Sequence, residues 1–241
     1  MAEATFGPKL DLGAAMGPVG NLIGKPISSV PAGAGQTVKD HLVQKAVYAD
    51  LQIPQLSNRV FNDLNLMKKE FGSGVCTLVA IANVTGADLT IVRLEDFHGH
   101  AWKYPPPASI GPGQVGVFLH GKTKLATKGS KAACIYMAKV PNGSDIFVRL
   151  AFDSGIVRFY NRLVHTDAQI IDKDWPELKR EDGNSSVSVK TFPREANEDD
   201  AKVEIKGTIG QSYSPICQFY VCYLPQIIAE HVRVLYLTMC R

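Results

Sequence analysis

The spacing of apolar residues changes along the chain, from a helical period near the start to strand-like alternation beyond residue 75. Within residues 56–71, Val60, Leu64, Met67 and Phe71 recur at intervals of three or four. This period places them on one side of a helix, so the stretch predicts an amphipathic helix that buries one face.

Another helix is predicted just before it, over residues 38–51. Thr37 has the chemistry of an N-cap, and Asp40 stands where a capping box needs an acid. Pro54 is expected to break this helix, because proline lacks a backbone N–H. Gly72 occupies the place of a C-cap glycine after the second helix.

From residue 75 onward, short apolar or alternating runs are separated by turn residues, a pattern typical of β-sandwiches and barrels. The runs are VCTLVAIANVTG, ADLTIVRLEDF, QVGVFLHG, AACIYMAKV, DIFVRLAFD, GIVRFYNRLV, SSVSVKTF and AKVEIKGTIG. The sequence therefore predicts a mainly β fold of the α+β class: two N-terminal helices followed by an antiparallel β-sandwich.

Three regions are predicted from these patterns. Residues 1–36 are rich in Gly and Pro and predict a flexible arm, with the apolar run 19–23 able to dock on the domain. Residues 37–221 form the helix-plus-sandwich domain. Residues 222–241 are an apolar extension whose structure the pattern leaves open.

Composition narrows the class of protein. The 241 residues carry a formal charge of only +3, and the basic residues are spread along the chain, so no nucleic-acid partner is expected. Five cysteines without CxxC spacing argue against a disulfide framework. No secretory signal is recognised, and no apolar run could cross a bilayer. A cytoplasmic or nuclear location is predicted.

One stretch, HGHAWKYPPPASIGPGQVGVFLH, concentrates candidate chemistry. It contains His98, His100 and His120. Residues i and i+2 of a strand share a face, so the first two histidines could join the third in a zinc site with an open position. Such a site would activate water in a metal-dependent enzyme. The alternative is that backbone hydrogen bonds hold these histidines and no cofactor binds.

The same stretch contains a candidate recognition loop made by Trp102, Lys103, Tyr104 and Pro105. Aromatic side chains often anchor interfaces, and the following prolines cost little entropy to order. The ligand could be a protein, a glycan or a lipid. The alternative is that Trp102 packs inward and the prolines close a sheet edge.

Nucleophilic catalysis finds little support. The chain has no GxSxG motif, no P-loop and no G-x-G-x-x-G after a strand. Cys76 and Cys134 lie inside apolar runs and are expected to be inert core residues. These observations disfavour an enzyme without deciding the matter.

The chain resembles the plant jasmonate-induced protein family over residues 38–221. Several short motifs occur in the family's order and spacing: Phe71-Gly72, Asn83-x-Thr85-Gly86, Gly99-His100, Tyr104-Pro105, Gly113-Gln114 and Phe118-Leu119-His120. The resemblance implies a stress- and defence-responsive plant protein without a catalytic motif. Its layout is similar to aegerolysin and actinoporin sandwiches, an analogy of fold alone.

Three functions follow as hypotheses. The first is a non-enzymatic defence protein that binds a partner through the Trp102–Pro107 loop. The second is a sandwich that binds membranes with lipid selectivity. The third is a metal-dependent enzyme that uses the three histidines.

Overall fold

The protein is represented by a computed structural model that describes residues 16–17, 20–30, 37–125, 129–139, 145–155, 161–163, 186–191 and 202–224. The predictions for the rest of the N-terminal arm and for residues 225–241 lie outside these residues. The division into arm, domain and extension therefore stays a prediction.

Both predicted helices are present. Helix α1 covers Val38–Gln52 and helix α2 covers Ser57–Phe71. Thr37 Oγ1 accepts a hydrogen bond from the Asp40 backbone N–H at 3.2 Å, and the Asp40 carboxylate accepts one from the Thr37 N–H at 2.9 Å, which confirms the capping box.

The break predicted at Pro54 is only partial. A 3-10 turn over Ile53–Leu56 joins α1 to α2, with Pro54 in its first turn, where a missing N–H removes no helical bond. Residues 38–71 therefore form one continuous helical segment, and we use that name for them below. Gly72 follows it with a φ of 80°, as expected for a glycine beyond a helix end.

The strands of the described residues form two sheets. The first sheet has the order β1-β2-β7-β3-β13-β12-β11, and β5 also pairs with β7. Its strands are β1 (Met16–Gly17), β2 (Gly20–Ile23), β3 (Cys76–Val84), β5 (His100–Ala101), β7 (Val115–Gly121), β11 (Ser186–Thr191), β12 (Lys202–Ile209) and β13 (Ile216–Leu224). The second sheet has the order β10-β9-β8-β4-β6. It contains β4 (Leu89–His98), β6 (Ser109–Ile110), β8 (Ser130–Lys139), β9 (Asp145–Ser154) and β10 (Asn161–Leu163).

The sheets pack face to face around one core, which confirms a sandwich. Phe118 and Phe219 from the first sheet belong to the same buried cluster as Tyr136, Leu150 and Phe152 from the second. The helical segment covers the opposite face of the first sheet, where Val60, Leu64 and Met67 form a second cluster with β3 and β7.

The prediction of a purely antiparallel sandwich is wrong at one pair of strands. β13 lies parallel to β3, with Ile216 opposite Leu78 and Cys222 opposite Val84. The alternation of apolar residues fixes which face of a strand is buried, whereas the direction of its neighbour depends on how the chain returns. Here the chain passes through the whole second sheet before β13 reaches β3.

Part of the Gly/Pro-rich stretch belongs to the first sheet. β2 pairs with β7, with Ile23 opposite Val115, and the Ile23 side chain is buried. The apolar run near residue 20 therefore docks on the domain as an added strand.

Candidate functional site

The two faces of the first sheet differ in the size of their side chains. Along β3, Val79 and Ile81 point into the core between the sheets, and Leu78, Ala80 and Ala82 point toward the helical segment. Because successive residues of a strand face opposite sides, the two alanines leave one side thinly filled. The helical segment does not close this space completely.

A cleft of about 470 Å³ occupies that space, between the helical segment and β3, β7, β12 and β13. Most of its walls are apolar. The helical side is lined by Leu51, Ile53, Pro54, Val60, Phe61 and Leu64, and the sheet side by Ala80, Ala82, Val115, Ile216, Gln218 and Tyr220. A volume between about 300 and 1,000 Å³ is typical of small-molecule sites.

One side of the cleft carries charges. Asp50 and Lys206 both line it, and Lys206 Nζ lies 3.2 Å from the Glu204 carboxylate. Burial raises the pKa of Asp50, and the positive charge of Lys206 opposes that rise. We call Asp50 and Lys206 the charged rim. Apolar walls beside a charged rim suit an amphiphilic ligand.

The candidate recognition loop packs on the end of α2. Trp102 is half-buried and makes an edge-to-face contact with Phe71, with ring centroids 5.4 Å apart. Tyr104 is buried in the cluster beneath α2, and its hydroxyl donates a hydrogen bond to Glu70. Lys103 Nζ also reaches Glu70, at 2.8 Å. The alternative interpretation of this loop, in which the aromatic side chain packs inward, therefore holds for both Trp102 and Tyr104.

The electrostatics of this loop follow from those contacts. Hydrogen bonds from Lys103 and then Tyr104 lower the pKa of Glu70. Burial raises the pKa of Tyr104, so its hydroxyl stays protonated and able to donate. Lys103 and Pro105 are exposed. The binding role of Trp102, Lys103, Tyr104 and Pro105 stays a prediction, and Lys103 and Pro105 are the pair open to a partner.

The three candidate metal ligands do not assemble. His98 ends β4 in the second sheet, His100 is exposed in β5, and His120 is buried in β7. Among the residues that the structure describes, no three His, Cys, Asp or Glu side chains are placed to hold a metal ion. Gly99 turns the chain between the first two histidines with a φ of 101°, and a side chain there would meet the Gly121 carbonyl.

His120 instead belongs to a buried chain of hydrogen bonds between the sheets. Its Nδ1 lies 2.8 Å from Ser130 Oγ, and its Nε2 lies 3.1 Å from Asp96 Oδ1. Thr77 Oγ1 lies 2.8 Å from both Ser130 Oγ and Ser154 Oγ. We call these five residues the hydroxyl–histidine chain.

Burial lowers the pKa of His120, although Asp96 opposes the shift, so the ring is neutral near pH 7. In a neutral ring Nε2–H donates to Asp96 and Nδ1 is an acceptor, and the Ser130 hydroxyl, which also donates to the His120 carbonyl at 2.9 Å, is shared between these two acceptors. Thr77 then donates to Ser130, and Ser154 donates to Thr77. The hydrogen bond from His120 lowers the pKa of Asp96.

This chain has the residue types of a Ser–His–Asp triad but lacks the access that catalysis requires. Ser130, Thr77 and Ser154 have no exposed surface, so no substrate carbonyl could reach a hydroxyl. The arrangement joins β3 and β7 of one sheet to β4, β8 and β9 of the other. It accounts for His120 as a structural residue.

The cysteines are consistent with the inert role expected from sequence. Cys76, Cys134, Cys217 and Cys222 are buried and unpaired as thiols. Burial raises the pKa of Cys134 and of Cys222 to about 12, which keeps both protonated at neutral pH. Cys240 lies outside the described residues.

The sequence interpretation missed the cleft and the hydroxyl–histidine chain. The signal for the cleft was the alternation Val-Ala-Ile-Ala-Asn in β3, where every second residue is small. The signal for the chain was Thr77, a hydroxyl inside an otherwise apolar strand. The partners of Thr77 are 53 and 77 residues away, so no local pattern could name them.

None of the helices in the described part of the chain combines the length and apolar character needed to traverse a bilayer.

Comparison with known proteins gives a family and a fold. A family model described as Nakanori-like protein matches residues 39–223. The 23 kDa jasmonate-induced protein of Hordeum vulgare is 33% identical over 129 residues, which are 51% of this chain and 60% of the barley protein. The chain is homologous to that protein, so the resemblance inferred from sequence is confirmed. The matched region spans three fifths of the barley protein.

Among solved structures, that of the lipid-binding protein Nakanori aligns with a TM-score of 0.57 at 21% identity, over 74% of this chain and 87% of Nakanori. At this identity the likeness concerns the fold alone. The Xerocomus chrysenteron lectin XCL aligns with a TM-score of 0.33 at 11% identity, over 62% of this chain and 99% of the lectin, which is too low to support an argument. The analogy with aegerolysins and actinoporins stays a prediction.

Proposed function

This chain belongs to the Nakanori-like protein family, and from that premise we propose that it is a non-enzymatic binding protein that takes a lipid-like amphiphile in the cleft beneath its helical segment. The observation that carries the proposal is the cleft itself: about 470 Å³ with mostly apolar walls and a charged rim.

The apolar walls of the cleft favour the transfer of an apolar group of the ligand from water into the cleft. Each methylene transferred from water to such an environment contributes about 0.8 kcal/mol. Phe61 is 55% exposed at the cleft and Leu51 is also exposed. A bound acyl chain would cover apolar surface that water now contacts.

The charged rim supplies orientation. Asp50 accepts hydrogen bonds and Lys206 donates them, so a headgroup that carries both charges or several hydroxyls finds partners on one side. A purely hydrocarbon ligand would leave these groups without new partners. The rim therefore favours an amphiphile whose polar group lies beside Lys206.

The descriptions of the relatives support this proposal. Nakanori is described as lipid-binding, and the barley relative is described as jasmonate-induced. We carry both descriptions to this chain as proposals: lipid binding as the molecular activity, and a plant stress or defence response as its setting in the cytoplasm.

A single-chain phospholipid with a fluorescent acyl chain, used below its micelle concentration, tests the proposal. The protein is expected to bind this probe, and Phe61→Asp is expected to weaken binding about tenfold or more, because a carboxylate would lie against the acyl chain. Val92→Asp is the matched control, since Val92 is 49% exposed on the second sheet and does not line the cleft.

Two results would overturn the proposal. One is a wild-type protein that binds no single-chain or two-chain lipid probe. The other is a Phe61→Asp protein, folded by circular dichroism, that binds as tightly as Val92→Asp.

A further inference from the structure

Two loops meet at the end of the sandwich where β3 begins. The Lys122 backbone N–H donates to the Val75 carbonyl at 3.0 Å, and Ser214 Oγ donates to the Gly74 carbonyl at 3.4 Å. Lys68 Nζ also donates to the Gly74 carbonyl, at 3.0 Å. The loop after β7 and the loop before β13 therefore flank one short segment. We call residues 72–75, 122–125 and 210–215, with Lys68, the basic end.

The three loop segments of the basic end contain no acidic residue, and the nearest acid along the chain, Glu70, is paired with Lys103 Nζ at 2.8 Å. The sequence contains no Asp or Glu within residues 71–87, 121–144 or 205–229, which include all three of its segments. Lys68, Lys122 and Lys124 bring three ammonium groups there. The whole chain carries a formal charge of only +3, so this end concentrates positive charge.

The same end also carries exposed apolar and aromatic side chains. Leu125 is 100% exposed directly beside Lys124, and Tyr213 on the facing loop is 55% exposed. Leu125 also has a φ of 64°, a backbone conformation that leucine rarely adopts. A fully exposed leucine beside lysines contributes nothing to the core of this protein.

We infer that the basic end docks on the surface of an anionic lipid bilayer. Lys122 and Lys124 contact the charged headgroups, Leu125 enters the acyl boundary, and Tyr213 lies at the headgroup level. Lysines near an anionic leaflet are attracted by its surface potential, and an apolar side chain beside them adds insertion to that attraction. Aromatic rings with a polar tip suit this boundary.

This docking is a different event from ligand uptake by the cleft. The cleft lies beneath the helical segment and is lined by none of Lys122, Lys124 or Leu125. Mutations can therefore abolish ligand uptake by the cleft and membrane docking by the basic end independently. Phe61→Asp, which tests the cleft, is expected to leave docking unchanged.

Flotation with phosphatidylcholine vesicles, with and without phosphatidylserine, tests the inference. The protein is expected to float with the anionic vesicles, and less as salt rises. The double variant Lys122→Glu/Lys124→Glu is expected to lose about tenfold or more in vesicle affinity. Leu125→Asp keeps both lysines and is expected to bind more weakly than the wild type, because an inserted leucine is lost.

The double variant Lys25→Glu/Lys45→Glu is the matched control, with the same change in net charge. Lys25 follows β2 at the opposite end of the sheet, where Ile23 pairs with Val115, and Lys45 precedes Ala46, whose backbone approaches Gly86. This variant is expected to float like the wild type.

Several outcomes would overturn the inference. They are full flotation of the folded Lys122→Glu/Lys124→Glu protein, an equal loss in the Lys25→Glu/Lys45→Glu protein, and unchanged flotation of Leu125→Asp. Binding to RNA or heparin without any vesicle binding would also overturn it, because the positive end would then recognise a soluble polyanion.

Discussion

The two faces of the first sheet are built by alternate residues of the same strands, yet they have different roles. The inner face presents Val79, Ile81 and Phe118 to the second sheet and is completely buried. The outer face presents Ala80 and Ala82 and leaves a cleft of about 470 Å³ under the helical segment. A strand of constant backbone geometry can thus build a stable core on one side and a binding site on the other.

The difference lies in side-chain volume and in where polar groups are placed. On the inner face the buried hydroxyls of Thr77, Ser130 and Ser154 are all hydrogen-bonded to one another or to His120. Lys206 on the outer face and Asp50 on the covering helix α1 both line open space. We expect changes on the inner face to affect folding and matched changes on the outer face to affect binding.

The largest difference is expected from removing a phenylalanine ring. Phe118→Ala should lower the free energy of unfolding by about 3–5 kcal/mol, because the ring is fully buried between the sheets. Phe61→Ala at the cleft should change it by only about 0.5 kcal/mol, since that ring is half exposed. Urea unfolding followed by circular dichroism measures both. Equal losses in the two variants would contradict the division between faces.

A smaller difference is expected from replacing a hydroxyl with a methyl group. Thr77→Val should cost about 1–3 kcal/mol, because it leaves buried partners at Ser130 and Ser154 without their hydrogen bonds. Thr208→Val, on an exposed outer-face position of β12, should cost about 0.5 kcal/mol or less. Urea unfolding again decides. A neutral Thr77→Val would mean that the chain of hydrogen bonds adds little to stability.

Adding side-chain volume should also distinguish the closed core between the sheets from the cleft. Ala132→Leu adds three carbons to the closed core and should cost about 1–3 kcal/mol. Ala80→Leu adds the same carbons at the cleft, where space exists, and should change stability by about 1 kcal/mol or less. The same Ala80→Leu protein should bind the fluorescent phospholipid more weakly. Unchanged probe binding together with unchanged stability would show that the added carbons do not enter the cleft.

Much of this fold was predictable because it rests on local patterns. The capping box of Thr37 and Asp40, the helix over 57–71 and most strands follow from neighbours a few residues apart. The pattern could not predict which strands pair when the paired residues are distant along the chain. The parallel pair β3–β13 joins residues 138 positions apart, as Ile216 opposite Leu78 demonstrates.

The candidate site was less predictable for the same reason. The histidines attracted attention because they are close in sequence, yet His98 lies in the second sheet, and of the two in the first sheet His100 is exposed and His120 is buried. The cleft depends on small residues in β3 and on how α2 lies across them, and neither alanine is chemically conspicuous. A binding site formed by small side chains is harder to recognise in a sequence than one formed by reactive groups.

The pH dependence of stability should differ in sign between the two faces. On the inner face, burial lowers the pKa of His120 below its usual 6.5, and the hydrogen bond from His120 lowers that of Asp96 below 3.8. A group whose folded pKa is depressed stabilises the fold above its unfolded pKa and loses that contribution as pH falls. On helix α1, which covers the outer face, burial raises the pKa of Asp50 above 3.8, so its contribution is present below 3.8 and is lost as pH rises through the folded value.

The smallest predicted effect comes from His120. The free energy of unfolding should fall gradually as the pH falls below about 6.5. Urea unfolding measured at several pH values from neutral to mildly acidic should reveal the slope, and His120→Gln should flatten it, because glutamine does not titrate. Asp50→Asn should make the acid loss steeper, because it removes a group that gains protons more readily when folded. A slope that survives in His120→Gln would assign the pH dependence to other groups, and a shallower slope in Asp50→Asn would contradict the burial of its carboxylate beside the cleft.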